Sequence, residues 1–261
     1  MILDTRDVNL FFNDLGNGLP LLCLHAYPVD GTIWRAQYPL AETMRLIVPD
    51  VRGMGRSEAP VEPPLMDVLA EDAVALLDHL AIDRAVVMGL SLGGYVALAM
   101  YRRFPQRIRG LIFADTRADA DTAEMRERRL RAAAGLRKDG VAAVLGAIPM
   151  MFGSSTKEAH PELIAEEEHH LARADAEGLA LIQLAMAERS DSTGLLPQIA
   201  VPTLLLCGEE DPASPPDTMR AMAEQIPNAR FALIPAAGHY SPLENPAAFN
   251  REVEAFMRGL A

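Results

Sequence analysis

The chemistry that this sequence can perform centres on one serine between glycines. Residues 89–93 read Gly-Leu-Ser-Leu-Gly, and this G-x-S-x-G motif follows the apolar run 84–88 and opens a predicted helix. In that context a serine sits on a sharp strand-to-helix turn with its hydroxyl exposed as a nucleophile. Gly89 and Gly93 leave room where a side chain would strike neighbouring backbone. Ser91 is the predicted nucleophile, and the alternative is a simple tight turn.

A nucleophilic serine needs a base and a group that orients the base. With this motif the chain order is serine, acid, histidine. Among six histidines, only His239 lies downstream of a suitable acid, Asp211. Each of these two residues follows a predicted strand, as Ser91 does, and ligands of open α/β sheets bind beyond that carboxyl edge. The spacing predicts a Ser91–His239–Asp211 constellation.

Other acids compete for the orienting role. Asp115 ends its own predicted strand and is the main alternative. Glu209 and Glu210 are weaker alternatives, because they lie earlier than Asp211 in the same turn. We place Asp211 first.

An oxyanion in acyl transfer needs two hydrogen-bond donors near the serine. The backbone N–H of Leu92 begins the helix behind Ser91, where the helix dipole favours negative charge. The N–H of Tyr27, in the loop after the apolar run 20–24, is the predicted second donor. We predict that His25 braces this loop through hydrogen bonds and is not the general base.

Four large side chains could line an apolar pocket for the acyl or alcohol group, although ordinary core packing explains them about as well. These predicted substrate-binding residues are Trp34, Met150, Phe152 and Tyr240. Residues 166–170 contain two Glu-x-x-His pairs, but no partner motif for a metal appears on another helix. We predict no metal site there and a solvated acidic helix face.

The elements that must position these residues alternate along the chain. Short apolar runs indicate strands, and the stretches between them repeat apolar residues at helical spacing. Strands are predicted at 7–12, 20–24, 45–48, 84–88, 108–114, 203–207 and 229–234, and helices at 65–80, 91–103, 215–225 and 246–259. Residues 118–197 show only helical segments. This order predicts a parallel sheet covered on both faces and interrupted by a helical insertion.

The length and net charge of the chain limit the kinds of partner that it can bind. A chain of 261 residues, half of them hydrophobic, can bury one large core. A net charge of −12 would repel phosphate groups, so nucleic acid and anionic membranes are not expected partners. Asp4, Arg6 and Asp7 interrupt any signal-peptide run, no segment approaches a membrane span, and we expect a cytoplasmic protein. Cys23 and Cys207 lack CxxC spacing and are predicted to be buried apolar residues.

Taken together, five segments resemble the α/β-hydrolase superfamily, and within it the small bacterial esterase and enol-lactone hydrolase branch. The segments are 24–28, 50–57, 89–94, 208–211 and 238–242. The resemblance covers the chain except the insertion. It implies a doubly wound, mostly parallel, eight-stranded α/β sheet built from residues 1–116 and 198–261, with a helical cap at 117–197.

The resemblance also implies a Ser-Asp-His triad that needs no cofactor. The sheet order of the superfamily would place the strands of Cys23 and Cys207 too far apart for a disulfide. One departure stands out, since the usual His-Gly pair before the oxyanion residue is His25-Ala26 here. Alanine reaches positive φ less readily than glycine does.

These residues predict a serine hydrolase that cleaves a small to medium carboxylic ester through an acyl-enzyme. Enol-lactone hydrolysis, cleavage of a carbon–carbon bond beside a ketone, and perhydrolysis would use the same triad. A ligand-sensing receptor that retains the triad is an alternative from another class. The serine at position 91 disfavours dehalogenase and epoxide-hydrolase chemistry, in which the nucleophile is a carboxylate. The expected partner is a small-molecule ester or lactone, and a homodimer is left open.

Overall fold

Apolar runs along the chain form the strands of a twisted sheet. The computed structural model describes residues 1–5 and 7–260, so Arg6 and Ala261 lie outside the described residues. The strands are β1 (Ile2–Asp4), β2 (Asn9–Leu15), β3 (Leu19–Leu24), β4 (Met44–Pro49), β5 (Ala85–Leu90), β6 (Ile108–Ala114), β7 (Thr203–Gly208) and β8 (Ala229–Ile234).

The sheet order is β1-β2-β4-β3-β5-β6-β7-β8. Only the pairs β1–β2 and β2–β4 are antiparallel in this sheet, and every pairing from β4 to β8 is parallel. The predicted mostly parallel, eight-stranded sheet is therefore confirmed. β1 is absent from the sequence prediction because three residues are too few to show a period.

Helices cover both faces of the sheet, so the central strands are apolar throughout. Every residue of β5 and of β7 is buried, as expected for parallel strands between two helical layers. The covering helices are α1 (Met66–His79), α2 (Leu92–Arg103), α9 (Pro216–Glu224), α10 (Ser241–Glu244) and α11 (Pro246–Arg258). Three 3₁₀ segments accompany them, at Gly31–Glu42, Pro105–Arg107 and Thr193–Gln198.

The chain between β6 and β7 forms six α-helices. They are α3 (Ala123–Asp139), α4 (Ala142–Leu145), α5 (Ile148–Met151), α6 (Ser154–Ala159), α7 (Pro161–Leu171) and α8 (Ala176–Ala187). The division of the molecule into a core and a cap at 117–197 stays a prediction. We use the word cap for this helical insertion below.

The two cysteines lie in different strands of the sheet. β5 and β6 separate β3, which carries Cys23, from β7, which carries Cys207. Three strand spacings amount to roughly 14 Å, well beyond the reach of a disulfide. Both thiols are buried and free, as predicted. No helix within residues 1–5 and 7–260 is both long and apolar enough to traverse a lipid bilayer.

A buried carboxylate ties the two ends of the cap together. Asp121 precedes α3, and its side chain is 1% exposed and forms ion pairs with Arg129 of α3 and Arg189 after α8. The guanidinium of Arg189 also lies 4.3 Å from the centre of the Tyr95 ring, on α2 of the core. Burial opposes the charge of Asp121, but the two arginines outweigh it and hold its pKa below the usual range. The network therefore anchors the cap to the core.

Replacement of Asp121 by asparagine should destabilise the protein by about 3 kcal/mol, because it leaves two largely buried guanidinium groups without their shared carboxylate. Urea unfolding followed by circular dichroism would measure the loss. Glu188→Gln is the matched control, since the Arg126–Glu188 pair is exposed at both ends and such pairs contribute little. Equal stability of the two variants would contradict this account.

Candidate active site

Ser91 sits on a strained turn between β5 and α2. Its φ and ψ are 51° and −109°, a backbone conformation that costs a non-glycine residue on the order of 1–3 kcal/mol. Hydrogen bonds from the next strand hold it there. The Ser91 N–H donates to Ala114 O at 3.0 Å, and the Thr116 hydroxyl donates to Ser91 O at 2.7 Å.

Two glycines let the backbone close up around this turn. A Cβ on Gly93 would collide with the carbonyl oxygen of Leu24, and one on Gly89 would collide with the carbonyl group of Gly93. The end of β3 and the start of α2 are therefore in direct contact. This contact brings the loop that follows β3 beside Ser91.

Asp211 and His239 form a buried pair at the same edge of the sheet. Asp211 follows β7 and His239 follows β8. Nδ1 of His239 lies 3.0 Å from Oδ1 and 2.9 Å from Oδ2 of Asp211. Oδ1 also accepts the backbone N–H groups of Ala213 and Ser214, at 2.7 and 3.0 Å. The carboxylate is thus fixed by the backbone and holds the imidazole by one nitrogen.

The pair shifts the pKa of each partner toward the charged form. Burial by itself would lower the pKa of His239, but the Asp211 carboxylate outweighs it and raises that pKa above its ordinary value. Burial would likewise raise the pKa of Asp211, and the charge and hydrogen bond of His239 reverse this and lower it. The imidazole is therefore a stronger base than a free histidine.

Asp115 does not hydrogen-bond to His239. This fully buried carboxyl accepts the N–H of Gly208 at 2.7 Å and bonds to the hydroxyl of Ser241, two residues after the histidine. It therefore joins the ends of β6 and β7 to the loop that carries His239. Burial, reinforced by the nearby Asp211 charge, raises the pKa of Asp115 well above its usual range.

The loop after β3 has the bracing that was predicted. Nε2 of His25 accepts the N–H of Val51 at 2.9 Å, and Nδ1 lies 2.8 Å from Ala26 O. His25 thus ties this loop to the one that follows β4. Ala26 does not adopt positive φ, so the missing glycine imposes no strain. The N–H groups of Tyr27 and Leu92 have no acceptor within the described part of the chain.

Three of the four predicted pocket residues are buried near His239 or in the adjoining core. The Tyr240 ring lies 5.9 Å from the His239 ring and meets Phe152 edge-on at 5.2 Å. Trp34 is buried against Phe249, with the ring centres 6.2 Å apart. Met150 is 65% exposed, so its side chain faces largely into solvent.

Two glutamates join the cap to the segments that follow β7 and β8, and sequence reasoning missed this role. Glu244 accepts the N–H groups of Tyr240 and Gly153 and the hydroxyl of Thr156. Glu210 accepts the N–H of Ser155 at 2.9 Å and the hydroxyl of Ser154 at 2.8 Å. It is therefore occupied by the cap and does not orient the histidine.

The cap also touches the histidine backbone. The N–H of His239 donates to Met151 O at 2.8 Å. No local pattern signals these contacts, because they join segments about 50 to 90 residues apart. Glu209, the other weak alternative for the orienter, is exposed.

The prediction of a solvated acidic face at 166–170 is wrong for Glu167. Its side chain is fully buried, and Oε1 lies 2.7 Å from the guanidinium of Arg35. Glu166 is 44% exposed and binds the same guanidinium at 2.8 Å. The ion pair with Arg35 thus compensates for the burial of the Glu167 carboxylate.

One buried group of acids and thiol does not suit a metal ion. Atoms of Asp115, Cys207 and Asp211 lie within 4.8 Å of one another. However, Asp211 already binds His239, and Asp115 already binds Gly208 and Ser241. Burial also raises the pKa of the Cys207 thiol, which disfavours the thiolate that metals prefer. The two carboxylates are better explained as hydrogen-bond acceptors that hold the neighbouring loops in place.

Comparison with known proteins bears on this geometry. Residues 21–252 match the model of a family described as the alpha/beta hydrolase family. The chain belongs to this family. Within it, the chain is 31% identical to 3-oxoadipate enol-lactonase 2 of Acinetobacter baylyi over 255 residues, which are 97% of this chain and 89% of that protein.

Solved α/β hydrolases share the whole fold. A thermophilic esterase from Thermogutta terrifontis, studied with malate bound, has 41% identity and a TM-score of 0.95, with 97% of this chain and 94% of that chain covered. The enol-lactonase from Burkholderia xenovorans has 29% identity and a TM-score of 0.92, with 99% and 100% covered. The chain therefore lies in the esterase and enol-lactonase branch of the α/β hydrolases.

The environment of Asp115 makes a prediction about stability and pH. Because its pKa is raised in the folded state, its contribution to stability is complete below the ordinary carboxyl pKa and is lost as pH rises through the raised value. Asp115→Asn keeps the acceptor for Gly208 and cannot ionise. At neutral pH its free energy of unfolding should equal or exceed that of the wild type, and the difference should shrink in acid.

Urea titrations at acidic and neutral pH would measure this difference. Asp115→Ala is the comparison, because it loses both hydrogen bonds and should be less stable than the asparagine variant by about 2–3 kcal/mol. An asparagine variant that is clearly less stable than the wild type at neutral pH would show that the ionised carboxylate stabilises the fold.

Proposed function

We propose that this α/β hydrolase is a serine esterase that cleaves small to medium carboxylic esters through an acyl-enzyme. The observation that carries the proposal is the buried Asp211–His239 pair at the sheet edge where Ser91 occupies its strained turn. A charged carboxylate on one imidazole nitrogen leaves the other nitrogen free to accept a proton. The esterase from Thermogutta terrifontis, 41% identical, supports the same reaction.

In the proposed mechanism, Nε2 of His239 takes the hydroxyl proton as Ser91 Oγ attacks the ester carbonyl. The N–H groups of Tyr27 and Leu92 stabilise the oxyanion. The alcohol leaves with the proton from His239, and Ser91 keeps the acyl group. Water then gives a proton to His239 as it attacks the acyl-enzyme, and His239 passes this proton to Ser91 Oγ as the bond between serine and acyl group breaks and the acid is released. Asp211 holds the imidazole and stabilises its charge throughout.

Enol-lactone hydrolysis is the second candidate reaction. It is favoured by the two enol-lactonases among the similar proteins, which match this chain over nearly its whole length. The lactone is a cyclic ester, so the same steps open its ring. Hydrolysis of a panel of esters and lactones, together with an assay for peracid formation, would rank these reactions on one enzyme preparation. A single turnover followed by a long-lived ligand complex would instead indicate a receptor.

Ser91→Ala should reduce the turnover of a short p-nitrophenyl ester by about three orders of magnitude or more, because it removes the attacking oxygen. Steady-state hydrolysis measured by release of p-nitrophenol would test this. Ser190→Ala, at an exposed serine in the cap, is the control and should retain wild-type turnover. Undiminished hydrolysis by the Ser91 variant would exclude the mechanism.

The pH dependence of kcat/KM should follow the protonation of His239. His239 acts as a base only when neutral, and its pKa is raised by Asp211, so kcat/KM should fall as pH drops through that raised value. Asp211→Asn removes the charge and should shift this acid limb to lower pH, while turnover falls by about four orders of magnitude. An unchanged limb in the variant would show that Asp211 does not set the basicity of His239.

A further inference from the structure

The two peptide planes that meet at the Cα of His239 are both held by hydrogen bonds. The plane before it carries the His239 N–H, which donates to Met151 O of the cap at 2.8 Å. The plane after it carries the Tyr240 N–H, which donates to Oε1 of Glu244 at 3.0 Å. Because peptide groups are planar, these two bonds restrict the direction in which the imidazole leaves the backbone.

Glu244 holds both backbone groups of Tyr240. Its carboxylate accepts the Tyr240 N–H, and its own N–H donates to Tyr240 O at 3.0 Å. These bonds close α10, a single turn, back onto the residue that follows the histidine. So short a helix has little stability of its own, so the side chain of Glu244 supplies support that the turn alone lacks.

The second oxygen of the same carboxylate binds the cap. Oε2 of Glu244 accepts the Gly153 N–H at 2.8 Å and the Thr156 hydroxyl at 2.7 Å. The backbone N–H groups of Gly153 and Tyr240 are both donors, so they need an acceptor between them, and the carboxylate is that acceptor. A Cβ on Gly153 would lie 2.9 Å from Gly238 N. Cap segment 151–156 therefore packs directly on the loop that carries His239.

Acidic side chains lie around this loop. From the segments after β6, β7 and β8 and from α7 of the cap they are Asp115, Glu210, Asp211, Glu244 and Glu167. Burial lowers the pKa of His239, and the carboxylates that oppose this shift are those of Asp211, Asp115 and Glu244. Cap segment 151–156 contributes no titratable side chain, and Glu167 is paired with Arg35. Glu244 thus adds negative charge near the imidazole as well as holding its backbone.

We propose that Glu244 is a positioning residue for His239, which holds the peptide plane after the histidine and ties the position of that plane to cap segment 151–156. The inference rests on the proposed esterase function and adds to it a residue that acts through the base. It predicts an effect on the chemical step and not on the binding of the ester.

Glu244→Gln tests the proposal, because glutamine keeps the shape but has one acceptor oxygen where three donors converge. One backbone N–H, of Tyr240 or of Gly153, then faces an amide N–H₂ group. For a short p-nitrophenyl ester, kcat should fall by roughly tenfold to a hundredfold, the cost of a displaced catalytic group. KM should stay nearly unchanged, and the acid limb of kcat/KM should move to lower pH, because a negative charge near His239 is lost.

Two comparison variants separate this role from simple attachment of the cap. Glu210→Gln makes the same chemical change in a partly exposed carboxylate that binds Ser154 and Ser155 of the same cap segment. Thr156→Val removes one bond to Glu244 but leaves its charge and both backbone bonds. Both variants should keep the acid limb of the wild type.

Circular dichroism and urea unfolding would establish that each variant is folded. If the glutamine variant does not fold, Glu244→Asp carries the test, because it keeps the charge but shortens the reach to its three donors. In the aspartate variant kcat should fall while the acid limb stays in place, and wild-type kcat there would overturn the proposal. An unmoved acid limb in a folded Glu244→Gln would also overturn it, whatever the loss of rate.

A proton NMR titration of the His239 imidazole keeps this test independent of turnover, with the signal assigned by its loss in His239→Gln. The pKa of His239 should be lower in Glu244→Gln than in the wild type, and an equal pKa would refute the proposed action of Glu244. A wild type that hydrolysed no ester or lactone would remove the proposed esterase function, and the titration would still decide whether Glu244 acts on His239.

Discussion

The close contact of three backbone segments at the carboxyl ends of β3, β5 and β6 is the constraint on which the site depends. Ser91 keeps a costly conformation because β6 supplies an acceptor for its N–H and Thr116 supplies a donor for its carbonyl. The contact between Gly93 and Leu24 then fixes the distance to the loop after β3. The strain is compensated by the packed sheet beneath it, so the fold itself holds Ser91, the proposed nucleophile, in place.

Further from Ser91, carboxylates hold other backbone segments in place. Asp115 joins β6, β7 and the histidine loop, while Glu210 and Glu244 join the loops to the cap. Each of these acids accepts at least one backbone N–H, so each positions main chain and not merely a side chain. Several acidic residues of this strongly negative protein thus link separate backbone segments through hydrogen bonds.

Sequence patterns predicted the parts of the fold that depend on local periodicity. The apolar runs located seven of the strands within a few residues, and the glycine-flanked serine marked the turn. Asp115 stayed a competitor of Asp211 in the sequence analysis, since both follow strands and both lie between Ser91 and His239 in the chain. Only the fold shows that the Asp115 carboxyl already accepts hydrogen bonds from Gly208 and Ser241. Glu167 was misjudged because its partner, Arg35, lies 132 residues away.

The hydrogen bond from the His239 N–H to Met151 O joins the cap directly to the loop that carries His239. Residues 151–156 form hydrogen bonds with His239, Glu244 and Glu210. Anyone who grafts a different cap onto this core to change its specificity must therefore keep this short segment. A chimera joined only at the outer boundaries of the insertion would lose the packing of its own histidine loop.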